Sequence, residues 1–243
     1  MTRVTEPRIE LAVPLGLRNL FRVSPLGTAG CFASGVVNGV FWGMTPVFAQ
    51  RLGLGAGEIA TLMSATIFGG ALLQWPIGHF SDKHDRRLVL GLVSLLAGVV
   101  ALAAAWVVVR GYPGLMPAAF VYGGLMFSLY GLSVAHANDQ LEPGQVLAAT
   151  QALLLVYGVG AFAGPLLGGL TMERFGPVGL PALSAAALLA VTLYGLYRMT
   201  RRSSPAIEEQ TGFVPMVRTS PVALEMHPDA DPAPELDLPE QKG

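Results

Sequence analysis

Six residues within one short stretch, WPIGHFSDKHDRR, have the types and spacing for electrostatic work: Gly78, Asp82, Lys83, Asp85, Arg86 and Arg87. Gly78 lets a neighbouring backbone come close, and Asp82 is placed where a carboxylate can bond a facing helix N-terminus or an arginine. The same charges also read as ordinary basic flanks that fix orientation in a bilayer. A second set brings hydrogen-bonding groups into apolar sequence. Asn38, Trp42 and Thr45 fall at i, i+4 and i+7, one helical face with an amide, an indole and a hydroxyl. Gln74 shares a small, polar stripe with Thr66, Gly70 and Gly78, and Tyr122, Tyr130 and Gln151 lie further along. Such groups are costly against lipid, so this set should meet protein or water, either as glue between helices or as the lining of a cavity. His136, beside Asn138 and Asp139, is of the type that titrates near neutrality, and reads first as a satisfied boundary histidine. The chain has no His-Glu-x-x-His, no Gly-x-Ser-x-Gly, no P-loop and no pair of intramembrane aspartates, so membrane peptidase or pump chemistry lacks its groups. Neither a metal nor a cofactor is expected.

The elements that position these residues follow from charge placement. The chain has 243 residues, 52% hydrophobic and 13% charged, with a mean hydropathy of +0.54. Six runs carry no Asp, Glu, Lys or Arg: 23 to 50, 59 to 81, 88 to 109, 111 to 138, 143 to 172 and 175 to 197. Each reaches the roughly 20 residues that an α-helix needs to cross a bilayer. The expectation is an all-α membrane protein with six transmembrane helices, which excludes a soluble enzyme, a nucleic-acid binder and an outer-membrane barrel. Every Asp and Glu lies at or outside a span boundary, so no mid-span carboxylate offers itself for proton binding. Cys31, the single cysteine, lies inside the first run and reads as a small buried hydrophobe.

Three regions are expected: a leader over 1–23, a membrane region over 24–202, and a tail over 203–243. The segment PLGLRNLFRVSP puts Leu17, Leu20 and Phe21 near one side and Arg18 and Arg22 near the other, as in a short interfacial helix with snorkelling arginines. No secretory signal peptide is read ahead of the first run. The tail holds eight acids against Arg218 and Lys242 and seven prolines, too little apolar surface to fold alone; it is either a solvated extension or a docking segment. With the N-terminus inside, the inner segments hold 12 basic residues and the outer loops 3, which places both termini in the cytoplasm.

Gly160, Gly164 and Gly168 recur every four residues in the fifth run, a smooth stripe for helix packing, and Pro165 removes one helical hydrogen bond and invites a bend. With Gly169 they resemble the Gly-x-x-x-Gly-Pro-x-x-Gly-Gly element on the fifth helix of a major facilitator superfamily half. Gly78, Asp82, Lys83, Arg86 and Arg87 resemble that superfamily's loop motif between the second and third helices, Gly-x-x-x-Asp-Arg/Lys-x-Gly-Arg-Arg. Asp85 replaces the second glycine, and since Asp tolerates a left-handed backbone better than most residues the turn is expected to survive. This variant resembles the YcaD-like bacterial branch. An internal echo agrees: Gly78, Asp82 and Lys83 find Gly169, Glu173 and Arg174 each 91 residues later, at the opposite face, as two inverted three-helix repeats would place them.

Complete members have twelve helices in two halves, so the resemblance, over roughly residues 24 to 202, implies one half. The basic leader resembles the connector between the halves, which points to the C-terminal one. What the resemblance implies is a secondary transporter in the bacterial inner membrane, partnered by lipid, a small-molecule substrate and a second six-helix half, either an N-terminal half or a second copy. It also implies that Asp82 and its neighbours form a cytoplasmic gate. The alternative is a non-transporting membrane protein, a truncated product or a binding partner of a complete transporter.

Overall fold

The computed structural model describes residues 16–110, 114–141 and 143–199, so the first part of the leader and the whole acidic tail lie outside the described residues. Every regular element among them is helical. A short α1, Leu17–Val23, leads into six long helices: α2 Pro25–Arg51, α3 Ala56–Asp82, α4 Arg86–Val109, α5 Leu115–Asn138, α6 Val146–Phe175 and α7 Gly179–Met199. These follow the six charge-free runs because charges and turn residues sit where the helices stop. Pro25 occupies the first turn of α2, where its missing N–H costs nothing. The Glu58 carboxylate closes the start of α3 by accepting from the Gly55 N–H at 2.8 Å.

Five segments are long and apolar enough to cross a membrane. The last of them, Val146–Met199, runs 54 residues. As one straight helix it would be about 80 Å long, far beyond a hydrocarbon core of about 30 Å. It does not stay straight: Gly176 adopts φ +68°, a conformation only glycine takes without strain, and a 3-10 turn over Gly176–Val178 separates α6 from α7.

The helices pack in three principal pairs, α2 with α6, α3 with α5 and α4 with α7; α4 also meets α5, and α2 meets both α5 and α7. One apolar cluster centres on Val37, Leu90, Met126, Leu132 and Leu188, and a second on Val40, Phe48, Leu62, Met172 and Leu180. The outer surface is equally apolar, with Leu92, Leu96, Val99 and Trp106 of α4 and Leu193 and Leu196 of α7 all exposed. A chain in water could not carry such a surface, and lipid is its solvent. At the end of α4 the Arg110 guanidinium lies 4.7 Å from the Trp106 ring centre, a basic and aromatic pair suited to a membrane boundary.

Within α1 the three apolar residues part company. Leu20 is fully buried against Cys31, Val134 and Leu153, whereas Leu17, Phe21, Arg18 and Arg22 are exposed. The helix is therefore pinned to the bundle by one side chain, not by the whole apolar side.

Candidate functional site

The charged stretch is folded around a buried guanidinium. Asp82 ends α3 and Arg86 opens α4, so the short turn between them brings the two side chains together: Arg86 Nη2 donates to Asp82 Oδ1 at 2.8 Å. Arg86 Nη1 donates to Asp139 Oδ1 at 2.6 Å and lies 3.3 Å from the Ala135 carbonyl oxygen. Arg86 is 1% exposed and Asp139, just past the end of α5, is buried as well. Three helix ends are thus tied by one cation between two carboxylates, a charge-assisted arrangement in a low-dielectric setting. Arg87 is buried beside His136, Gln140 and Arg198 in a small cleft, where Gln140 Nε2 lies 3.0 Å from His136 Nε2. Lys83 is exposed and Gly78 buried.

Asp85 departs from expectation. Its φ is −58°, not left-handed; it is the N-cap of α4, and its Oδ1 accepts from the Arg87 N–H at 2.9 Å. Where a glycine would have supplied conformational freedom, a carboxylate supplies a cap for a backbone donor that the helix leaves unpaired, so the turn closes by a different device.

The glycine stripe of α6 lies on α2. A methyl group on Gly160 would collide with the Phe32 carbonyl oxygen, and one on Gly164 with that of Val36. The fit is reciprocal: Gly35 meets the Tyr157 carbonyl and Gly39 that of Ala161. Ala161 stands four residues before Pro165, which has no N–H to give it. The carbonyl that Pro165 leaves unserved is therefore the one against which the Gly39 backbone packs. A methyl on Gly43 would come within 2.8 Å of the Pro165 ring, while Gly168 faces side chains of Leu180 and Met44, and Gly169 only the tip of Met44. The α3–α5 pair has the same construction, with Gly69 against the Phe120 carbonyl and Gly123 against that of Thr66.

The polar residues do not converge on one place. Asn38 is buried, and its Nδ2 donates to the Ser34 carbonyl of its own helix at 2.9 Å. Trp42 is 45% exposed and packs on Phe41 and Phe127. Tyr130 meets Tyr157 edge to face across α5 and α6, with ring centres 4.9 Å apart. Gln74 is half-buried on α3, and Gln151 is exposed on α6. Thr45 and Tyr122 line a cavity inside the bundle that also takes in Thr66 and Ser184.

The family model described as Major Facilitator Superfamily matches residues 28–227. The chain belongs to this superfamily. It is 33% identical over 174 residues to a protein of Salmonella arizonae named "Uncharacterized MFS-type transporter YcaD", a match covering 70% of this chain and 43% of the relative. Proteins of the same name from Escherichia coli and Shigella flexneri are 36% and 35% identical over 157 residues, covering 63% of this chain and 39% of theirs. The chain thus spans about two fifths of the length of these relatives. No solved structure matches it. As a major facilitator protein with several apolar spans it is a multi-pass membrane protein.

Two features of this superfamily chain escape a reading of the motifs alone. Asp139 is the second carboxylate on Arg86, and its signal was the segment between the fourth and fifth runs, which has acids and no basic residue. Gly35, Gly39 and Gly43 complete the seam with α6, and their four-residue spacing in the first run repeats that of Gly160, Gly164 and Gly168.

Proposed function

We propose that this chain is one six-helix half of a secondary transporter, moving a small organic solute by alternating access against a second half. The observation that carries the reading is the superfamily match together with a bundle of six long, apolar helices. The chain matches about two fifths of its transporter relatives, while its six long helices are half the twelve of a complete major facilitator protein. The packing supports two inverted three-helix repeats. Exchanging α2, α3 and α4 for α5, α6 and α7 turns the α2–α6 pair into α5–α3 and the α4–α5 pair into α7–α2, and leaves α4–α7 unchanged. Both close pairs are also glycine seams.

The basic residues support a bacterial inner-membrane protein with both termini in the cytoplasm. In that orientation the Asp82, Arg86 and Asp139 cluster sits at the cytoplasmic face. Gly78, Asp82, Lys83, Asp85, Arg86 and Arg87 then form a gate, and Trp42, Gln74, Tyr130 and Gln151 are the positions from which this half would contact solute. The basic leader favours the C-terminal half, with the membrane region at 24–202 flanked by leader and acidic tail. The missing wall is an N-terminal half or a second copy.

Everted membrane vesicles from cells expressing the full chain, alone and with a co-expressed N-terminal half, test this against a panel of radiolabelled sugars, amino acids and organic acids. Gradient-driven uptake above that of vector vesicles is expected in one of the two arrangements. Paired Asp82→Cys and Gln145→Cys, in a Cys31→Ser background, should crosslink between chains if two copies form the transporter. Absence of uptake in both arrangements, together with a strictly monomeric chain, would overturn the reading.

A further inference from the structure

A partly open cavity between the helices has no wall from α6. It has a volume of about 80 Å³ and is walled by α2, α3, α4, α5 and α7. That volume has room for about five to eight groups the size of a water molecule. Its walls are aliphatic and aromatic apart from four hydroxyl side chains, Thr45, Thr66, Tyr122 and Ser184, and no charged side chain lines it. Two of these hydroxyls are engaged by their own helices: Thr66 Oγ1 donates to the Leu62 carbonyl at 2.9 Å, and Ser184 Oγ to the Leu180 carbonyl at 3.3 Å. The Tyr122 hydroxyl oxygen is buried and has no hydrogen-bond partner. Ser184, whose own hydroxyl turns to the Leu180 carbonyl, is a polar side chain that interacts with it but leaves it without a hydrogen bond of normal geometry.

A buried hydroxyl without a partner is costly, and the cost is removed by whatever brings one matching polar atom. Water alone fits poorly, because each buried water needs two to four polar partners and most of this wall offers none. A charged ligand would be desolvated with nothing to pair it. We propose that the cavity binds a small neutral amphiphile, of the size of a phenol or a short-chain alcohol, whose single polar atom pairs with the Tyr122 hydroxyl and whose apolar body fills the space kept open by Ala104 and Ala118. Because five helices border the site, its occupant braces α4 and α7 against the other three. This role is separate from solute passage between halves and does not depend on it.

The test uses the full chain in lipid nanodiscs, titrated with 4-fluorophenol and followed by fluorine NMR, with empty nanodiscs as the partitioning control. Saturable binding above that control is expected, together with a rise in thermal midpoint. Tyr122→Phe, which deletes only the hydroxyl, should weaken binding about five- to tenfold. Ala118→Leu should abolish it by filling the space; Ala104→Val serves the same purpose if Ala118→Leu does not assemble. Thr171→Ala, on α6 and away from the cavity, should bind as the parent does. Non-saturable uptake equal to empty nanodiscs, or unchanged binding in Tyr122→Phe, or unchanged binding in the filled variant, would each overturn the proposal.

Discussion

The α2–α6 seam and the Asp82–Arg86–Asp139 cluster join helices by opposite means. At the seam, side chains have been removed until backbone meets backbone, and the attraction is many short-range contacts plus a carbonyl freed by Pro165. At the cluster, one long side chain reaches across three helix ends and holds them through two ion pairs. The seam therefore tolerates no added atom, whereas the cluster tolerates no lost charge. In a membrane protein without a hydrophobic driving force between helices, close packing and satisfied polar contacts must share the work.

The sharpest way to break this contrast is at Arg86. Arg86→Met removes the buried cation that Asp82 and Asp139 share and should cost about 3–5 kcal/mol, read as a fall in thermal midpoint in detergent. Arg86→Met with Asp139→Asn should recover part of the loss; a single variant as stable as the parent would mean that the cluster holds nothing together.

Next in size is Gly164→Leu, which places a side chain where the Val36 carbonyl sits and should cost about 1–3 kcal/mol through strain and helix separation. The same substitution leaves the charge network alone, so the two losses should add in a double variant. Loss of the N-cap in Asp85→Ala should cost about 1 kcal/mol by the same unfolding measurement, and Asp85→Asn or Asp85→Ser should restore most of it.

The smallest effect is expected at Gly158, which adjoins the seam residue Tyr157 but has open space where a methyl would go. Gly158→Ala should be neutral or stabilise by up to about 1 kcal/mol through helix propensity. A loss as large as that of Gly164→Leu would show that glycine matters in α6 for some reason other than contact with α2.

These outcomes parallel what the sequence reveals. Helix positions are legible because the bilayer imposes a length on charge-free runs, and α2 to α7 follow those runs closely. The α6 stripe is legible for a related reason, since three glycines at four-residue spacing can only form one face. Their counterparts Gly35 and Gly39 have the same spacing, but nothing local says which stripe meets which. The cluster is half legible: Asp82 and Arg86 are one helical turn apart in numbering, while Asp139 is 53 residues from Arg86. Asn38 marks the other limit. An amide in an apolar run can reach across to a neighbour or back to its own helix, and the sequence pattern is the same for the carbonyl of Ser34 as for any partner elsewhere.

The turn at Gly176 has a consequence for how the chain is made. During synthesis α6 and α7 leave the ribosome as one apolar stretch whose only charges, apart from Arg198 near the end of α7, are Glu173 and Arg174 beside the bend. A single glycine there lets the two helices fold back on each other and enter the bilayer together as a hairpin. The adjacent pair of opposite charges lies at its tip, where their fields largely cancel. Replacing that glycine would thus act first on biogenesis, before packing or transport could be measured.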